Sequence, residues 1–422
     1  MDRVIYQDLA VAACDDGGNV LLHTDIAVEN GRIADIGSGL RGGREILCTD
    51  CLAVPLLCNM HLHLGETILR GVCDGKDLFG YLDVSHGIYE QGEWKTHKEA
   101  IHRCVSYVTL IEALRSGTGR IATIRSWQEC ADSHIAAVCG YPVINIAKLK
   151  QYYDGFDEDA LAGIAQTYPD VTQAVFIQSL YTIGEEQLLR VAEYLRRHPE
   201  VPVFIHICET EWELAYVREK YGCSPIAYMD RIGLFSAHTF CIHCVHITDE
   251  EIGILKRRRA AAVLCPTSNL KLLNGVPPTE KLFRSGIPVC LGTDGLGTNN
   301  SASIPEALKI LALTAGSPVL TAQDYLNTVT RTPCEVLGIF DRTGSIEIGK
   351  QADLTILQTD PVHLFSSQTA VSNFVYDPAS YRCRCVIRKG IPIYTDESGC
   401  QYLDEAACTD RFLDAARLLF EG

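Results

Sequence analysis

PLLCNMHLHLGETILRG, residues 55–71, sets two histidines, His61 and His63, one residue apart where an apolar run gives way to a glycine-containing turn. On a β-strand residues i and i+2 project from one face, so two imidazoles at this spacing converge on one point. Taken alone, such a pair reads better as one core histidine with the other at the surface. Its meaning depends on what else the chain brings to the same end of the fold.

Counting LAVPLLCN (52–59) before the histidines, eight short apolar runs recur at the spacing of strand–helix units. The others are RIATIR (120–125), PVINIA (142–147), QAVFIQ (173–178), VPVFIHI (201–207), TFCIHC (239–244), AAAVLCP (260–266) and IPVCLGTD (287–294). Between them lie stretches with apolar residues at three-to-four spacing, such as EEQLLRVAEYLRRH (185–198), and TDEEIGILKRRR (248–259), which opens with Thr248 and Glu251 as a capping box. Buried strands alternating with helices predict parallel β/α units, and eight of them predict a closed (β/α)8 barrel of TIM type over residues 53–341. The two ends read differently. TDIAVENGRIADIGSG (24–39) is a strand pair around an Asn-Gly turn, and GSIEIGKQADLTILQ (344–358) and RCVIRKGIPIYT (384–395) are again strand-like. They predict a small β-sandwich built from both termini, residues 1–52 and 342–422, with a surface helix in LDEAACTDRFLDAARLLFEG (403–422).

In a β/α barrel the active site gathers at the carboxyl ends of the strands. Polar residues stand at those ends in order: His61 and His63, then His206 and Glu209 in FIHICETEWE, His243 in CIHCVH, and Asp294 in LGTDGLGTNN. Singly, His206 reads as a core histidine, Glu209 as a first-turn residue and Asp294 as an N-cap. Together they are the ligand types that suit zinc or ferrous iron. His246 reads as structural.

The segments NMHLHLGETILRG, EALRSGTG, HICETEWE, IHCVHITDEEI, PTSNLKLLNGVPP and GTDGLGTNNS resemble the amidohydrolase superfamily, in its aminohydrolase branch with the adenosine, guanine and cytosine deaminases and the triazine hydrolases. The resemblance implies one divalent metal, zinc or iron, held by His61, His63, His206 and Asp294. It implies Glu209 as proton shuttle and His243 beside the attacking water. The reaction it implies is hydrolytic deamination of an amino-substituted purine, pyrimidine, pterin or nucleoside-like ring with release of ammonia. The alternatives are dechlorination or hydrolysis of another C–N bond, and a non-catalytic metal-binding barrel. The chain departs from the family pattern in PLLCN before the histidines, in GRIATIRSW on strand two, and in FIQSLYT on strand four, where Gln178 stands at a common histidine position and Tyr181 keeps register. Strand four lacks a lysine, leaving Lys148 and Lys150 as the residual candidates for a two-metal bridge.

Substrate choice then falls to residues near the metal set. Glu66 lies three residues after His63, where a carboxylate accepts bonds from substrate N–H groups. Arg125 can bind an anionic group and Trp127 can stack on a ring; their plainer roles are an ion pair within the barrel and packing.

A formal charge of −16 argues against a nucleic-acid or anionic-membrane partner and leaves a small heterocycle as substrate. A homo-oligomer, dimer or larger, in the cytoplasm is expected. Nineteen cysteines read as reduced, buried thiols; the pairs Cys48/Cys51 and Cys241/Cys244 have zinc-like spacing, but structural zinc is not expected.

Overall fold

The structure is a computed structural model and describes residues 3–90, 92–144 and 155–420; Lys148 and Lys150 lie outside the described residues. Strands β1 (Val4–Ala12), β2 (Val20–Glu29), β3 (Arg32–Gly37) and β4 (Arg44–Pro55) precede the barrel. The barrel strands are β5 (Leu57–Leu62), β6 (Thr118–Ile124), β7 (Ala136–Val143), β8 (Thr172–Ile177), β9 (Val203–Ile207), β10 (Thr239–His243), β11 (Ala261–Leu264) and β12 (Val289–Leu291). After them come β13 (Leu354–Gln358), β14 (Arg382–Arg388), β15 (Ile391–Thr395) and β16 (Gly399–Cys400).

Strands β5 to β12 are hydrogen-bonded in sequence order, all parallel. Buried on both faces, they read as continuous apolar runs rather than as alternation. The seam between β12 and β5 is closed by residues of the strand ends. Asp294 donates its backbone N–H to the carbonyl of His61 at 2.9 Å, and Thr293 donates to Asn59 Oδ1 at 3.1 Å. The strands approach so closely there that a Cβ on Gly292 would lie 2.6 Å from the Cβ of His61. Inside the barrel Phe176, Phe204 and Phe240 stack in near-parallel planes, 6.4 and 4.5 Å apart, and His61 stacks on Phe176 at 5.8 Å. These rings form the apolar floor on which the strand-end histidines stand.

Two strands begin elsewhere than the apolar runs suggest. LAVPLLCN divides between β4 and β5, so that His61 lies within β5 itself. The third barrel strand is Ala136–Val143, six residues ahead of PVINIA. Its alanines, cysteine and glycine carry little apolar bulk, and a Cβ on Gly140 would meet Phe176 Cβ at 2.5 Å, so bulk there is excluded by the neighbouring strand. The Thr248 capping box forms as the sequence predicts.

The terminal strands make one eight-stranded sheet, ordered β16-β15-β14-β13-β4-β1-β2-β3. Both termini contribute to its buried core through Tyr6, Leu9, Ile26, Leu354 and Ile387. The Asn30-Gly31 turn joining β2 to β3 has positive φ at both residues, 50° and 76°, as a type I′ hairpin requires. The helix Glu405–Phe420 packs against the long helix Gly92–Arg115, and Arg115 pairs with Glu405. Among the described residues no helix is long and apolar enough to cross a membrane.

Candidate active site

At the carboxyl ends of β5, β9, β10 and β12 the side chains of His61, His63, His206, His243 and Asp294 converge. His61 Nε2 lies 3.0 Å from His63 Nε2, 3.1 Å from His206 Nε2 and 3.0 Å from Asp294 Oδ1; His63 Nε2 is 3.3 Å from the same oxygen. One ring nitrogen cannot satisfy three such neighbours with a single proton. The remaining contacts are lone pair against lone pair, which a shared cation resolves.

Two of the rings are committed on their other edge. His206 donates Nδ1–H to the backbone carbonyl of Gln178 at 2.7 Å, and His243 donates Nδ1–H to Asn269 Oδ1 at 2.9 Å. Those bonds fix the tautomers and leave each Nε2 bare toward the centre. Asp294 accepts from Ser268 Oγ at 2.6 Å and from the Gly295 N–H at 2.8 Å. Burial lowers the His61 imidazole to about 4 against the pull of Asp294, and burial with the neighbouring imidazoles puts His206 well below its ordinary value. Burial opposes ionisation of Asp294, but His61 and its neighbours hold the carboxyl well below the usual carboxylate range. Neutral His61 and His206 beside an ionised Asp294 are in the protonation states that bind a divalent metal. The residues present fit one.

Strand ends are also where the backbone leaves its ordinary region. Asp294 has φ 66°, His243 77°, Cys208 53° and Arg125 61°. Left-handed residues are uncommon outside glycine, and at these positions they turn the chain sharply as each strand ends.

Glu209 stands beside the donors, with Oε1 3.7 Å from His243 Nε2. It accepts from Asn274 Nδ2 at 2.9 Å, and burial raises its carboxyl above the usual value. Its own N–H donates to Glu213 Oε2 at 2.9 Å, while Thr210 caps the next helix through the Glu213 N–H. Glu213 is 1% exposed and is pushed up to about 8 by burial. His246 donates to the carbonyl of Asn274 at 2.9 Å, in keeping with a structural part.

Glu66 places Oε1 3.4 Å from His63 Nδ1, and its Oε2 is buried with no hydrogen-bond partner. A Cβ on Gly295 would fall 1.6 Å from that oxygen, so only glycine leaves room for the carboxylate there. Arg125, Trp127, Gln178 and Tyr181 line the same cavity of about 700 Å³ as His63, Glu66, His206, Glu209, His243 and Asp294. Trp127 Nε1 is buried without a partner. Tyr181 packs edge-on against Trp212 at 5.2 Å. Arg125 donates its backbone N–H to Gly140, and His102 beside it is lowered by burial to about 3.

The sequence reading left out Ser268, Asn269, Asn274 and Glu213. Three of these sit in PTSNLKLLN, a segment quoted above only for its likeness to a family. The signal was there, three polar side chains just after an apolar strand, but which carboxylate or imidazole each one meets is a property of the closed barrel.

The geometry agrees with comparisons to known proteins. The model of the amidohydrolase family matches residues 52–392. The chain is 30% identical to a 5-methylthioadenosine/S-adenosylhomocysteine deaminase of Caldicellulosiruptor saccharolyticus, over 90% of this chain and 91% of that protein. It is 30% identical to a 5'-deoxyadenosine deaminase of Methanocaldococcus jannaschii, over 83% and 86%. In fold it is similar to a zinc-bound adenosine deaminase from Xanthomonas campestris, with TM-score 0.88 at 24% identity and 99% of each chain covered. A family model over most of the chain, matched by relatives along most of its length, leaves one conclusion: the chain belongs to the amidohydrolase family.

Proposed function

We propose that this chain is a metal-dependent hydrolase that removes the exocyclic amino group of a nitrogen heterocycle, of purine, pyrimidine, pterin or nucleoside type, and releases ammonia. One observation carries the reading: Glu209, a buried carboxyl with raised proton affinity, stands 3.7 Å from the bare Nε2 of His243 at the edge of the converged donors. Hydrolysing an amidine-like C–NH2 needs a nucleophile at neutral pH and a proton carrier that serves first the ring nitrogen and then the departing amine. The relatives named as adenosine-type deaminases support the choice of leaving group.

His61, His63, His206 and Asp294 would hold one divalent ion, and zinc, which a structural neighbour was crystallised with, is the metal proposed. When bound, that ion lowers the pKa of a water toward about 7 and so supplies the nucleophile. His243 orients the attacking water through Nε2, and Asp294, ionised, accepts its proton. Glu209 keeps a proton to higher pH than an ordinary glutamate and delivers it to the ring nitrogen. It then takes the proton held by Asp294 to the amine as the C–N bond breaks, and is reprotonated by the hydroxyl that becomes the product carbonyl.

The unpartnered oxygen of Glu66 takes an N–H or amino group of the ring, which favours donor-rich heterocycles. Arg125 and Trp127, together with Gln178 and Tyr181, receive the part of the substrate beyond the ring in a cavity larger than a bare base needs.

The test is a panel of adenosine-type nucleosides, aminopurines, aminopyrimidines, pterins and chloro- or alkylamino-triazines given to the zinc-loaded chain, with ammonia, chloride and alkylamine each measured. Ammonia from a member of the first four groups is the expected result. Chloride or alkylamine from the triazines, with no ammonia from the rest, overturns the proposed leaving group.

A further inference from the structure

The Cys48-x-x-Cys51 pair takes no part in the site above. On a flat strand residues three apart face opposite sides. Here Gln7 of β1 pairs with Leu47 and Leu9 with Cys51, so that three residues of β4 stand against Asp8 alone. Asp50, at φ 58°, makes the bulge. The bulge turns both cysteines inward, where they share the core of the terminal sheet at 1% and 0% exposure.

Both thiols face that one core, and each perturbs the ionisation of the other. Arg384 Nη1 donates to Cys51 Sγ at 3.5 Å. Cys51 Sγ also lies 3.2 Å from Gln358 Oε1 and 3.6 Å from the Thr49 carbonyl, and Cys48 Sγ lies 3.6 Å from the Ile46 carbonyl. Arg384 and Gln358 are themselves partly exposed, so the sulfurs lie one side chain beneath the surface. The neighbouring Cys48 thiol and the Arg384 guanidinium draw the Cys51 thiol down to about 7 against the effect of burial, whereas Cys48 is pushed up. A low-pKa thiol beside a cation, with a second thiol in the same small core, is the arrangement that oxidises reversibly.

We propose that Cys48 and Cys51 form a redox-active dithiol that closes to an intrachain disulfide when a peroxide-class oxidant reaches Cys51. The Cys51 thiolate attacks one peroxide oxygen; the O–O bond breaks, hydroxide leaves, and Cys51 becomes a sulfenic acid. The Cys48 sulfur then attacks the Cys51 sulfur. The S–S bond forms, the S–O bond breaks, and the hydroxyl departs as water with the Cys48 proton. In sum two thiols lose two electrons to one hydrogen peroxide, which becomes two waters.

The experiment exposes the zinc-loaded full chain to limiting hydrogen peroxide, denatures it in N-ethylmaleimide, reduces it, applies a second alkylating label and maps all nineteen cysteines by mass spectrometry. The internal control is Cys130 and Cys139, also buried, whose sulfurs are 3.6 Å apart and whose Cys139 thiol is raised well above its ordinary value. Cys48 and Cys51 are expected to carry the second label in equal amounts, at least about tenfold faster than the control pair, because the thiolate is the reacting form. Arg384→Gln keeps both thiols and slows their oxidation. In Cys48→Ser, dimedone captures a sulfenic acid on Cys51. Oxidation no faster than at Cys130 and Cys139, or a rate that Arg384→Gln leaves unchanged, overturns the proposal.

Discussion

His206 donates its Nδ1 proton to the backbone carbonyl of Gln178 at 2.7 Å, and this one bond decides which nitrogen of the ring faces the barrel axis. The acceptor is main chain, so it is present whatever side chain occupies position 178. The side chain at position 178 can therefore differ without turning the His206 ring.

Removing the imidazole is another matter. His206→Ala is expected to keep the fold by circular dichroism and to weaken metal retention by more than the 10- to 100-fold typical of outer-shell changes. Elemental analysis after dialysis against a chelator checks this, with about one equivalent expected in the parent chain. Two equivalents at full occupancy in the parent would contradict the single-metal reading.

Glu209→Gln preserves the shape of the shuttle and removes its proton. The expected loss is on the order of 10²–10⁴ in kcat, with metal content unchanged. Asn274, which holds Oε1, would then face an amide that presents either a carbonyl or a second donor, so Asn274→Ala is the companion variant. A kcat for Glu209→Gln within about threefold of the parent removes Glu209 from the chemistry.

Gly295→Ala meets no backbone strain, since φ there is −71°, but its methyl would enter the space of Glu66 Oε2. The expected effect is a displaced carboxylate and a shifted substrate preference. In a double-mutant cycle with Glu66→Gln the two changes should be non-additive, by about 0.5–3 kcal/mol of transition-state binding from kcat/KM. Additive effects would show that the two residues do not act through one contact.

Glu213 gives a prediction about stability. Its carboxyl is raised to about 8 in the folded chain from 4.5. Below pH 4.5 both states hold the proton; between 4.5 and 8 only the folded state does. The unfolded state therefore gains relative to the folded one as pH rises, and stability falls across that window and levels off above it. Glu213→Gln lacks this slope. Thermal melts of both chains at pH 5 and pH 8 should show the variant gaining on the parent by roughly 3–5 kcal/mol. Parallel melting curves would contradict the burial argument.

How much of this was legible beforehand follows from the physics of each feature. The converged donors were readable because parallel strands put their carboxyl ends on one rim, so His61, His63, His206, His243 and Asp294 acquire a common location from order alone. The third strand was misplaced because its selection is for smallness: Gly140 must clear Phe176, and an apolar scan is blind to a requirement for little bulk. Ser268, Asn269 and Asn274 were invisible as supports because their partners lie 26, 26 and 65 residues away in sequence. The inward turn of Cys48 and Cys51 rests on a bulge, and a bulge breaks the alternation by which a strand is read.

The central claim is that water replaces an amino group on a heterocycle in this cavity. It is tested most directly by running the active member of the panel in ¹⁸O-water with zinc-loaded chain, and following product mass and ammonia in the same reaction. One ¹⁸O in the product and one ammonia per turnover are expected, both lost in Glu209→Gln. A product without ¹⁸O, or turnover with a leaving group other than ammonia, would contradict it.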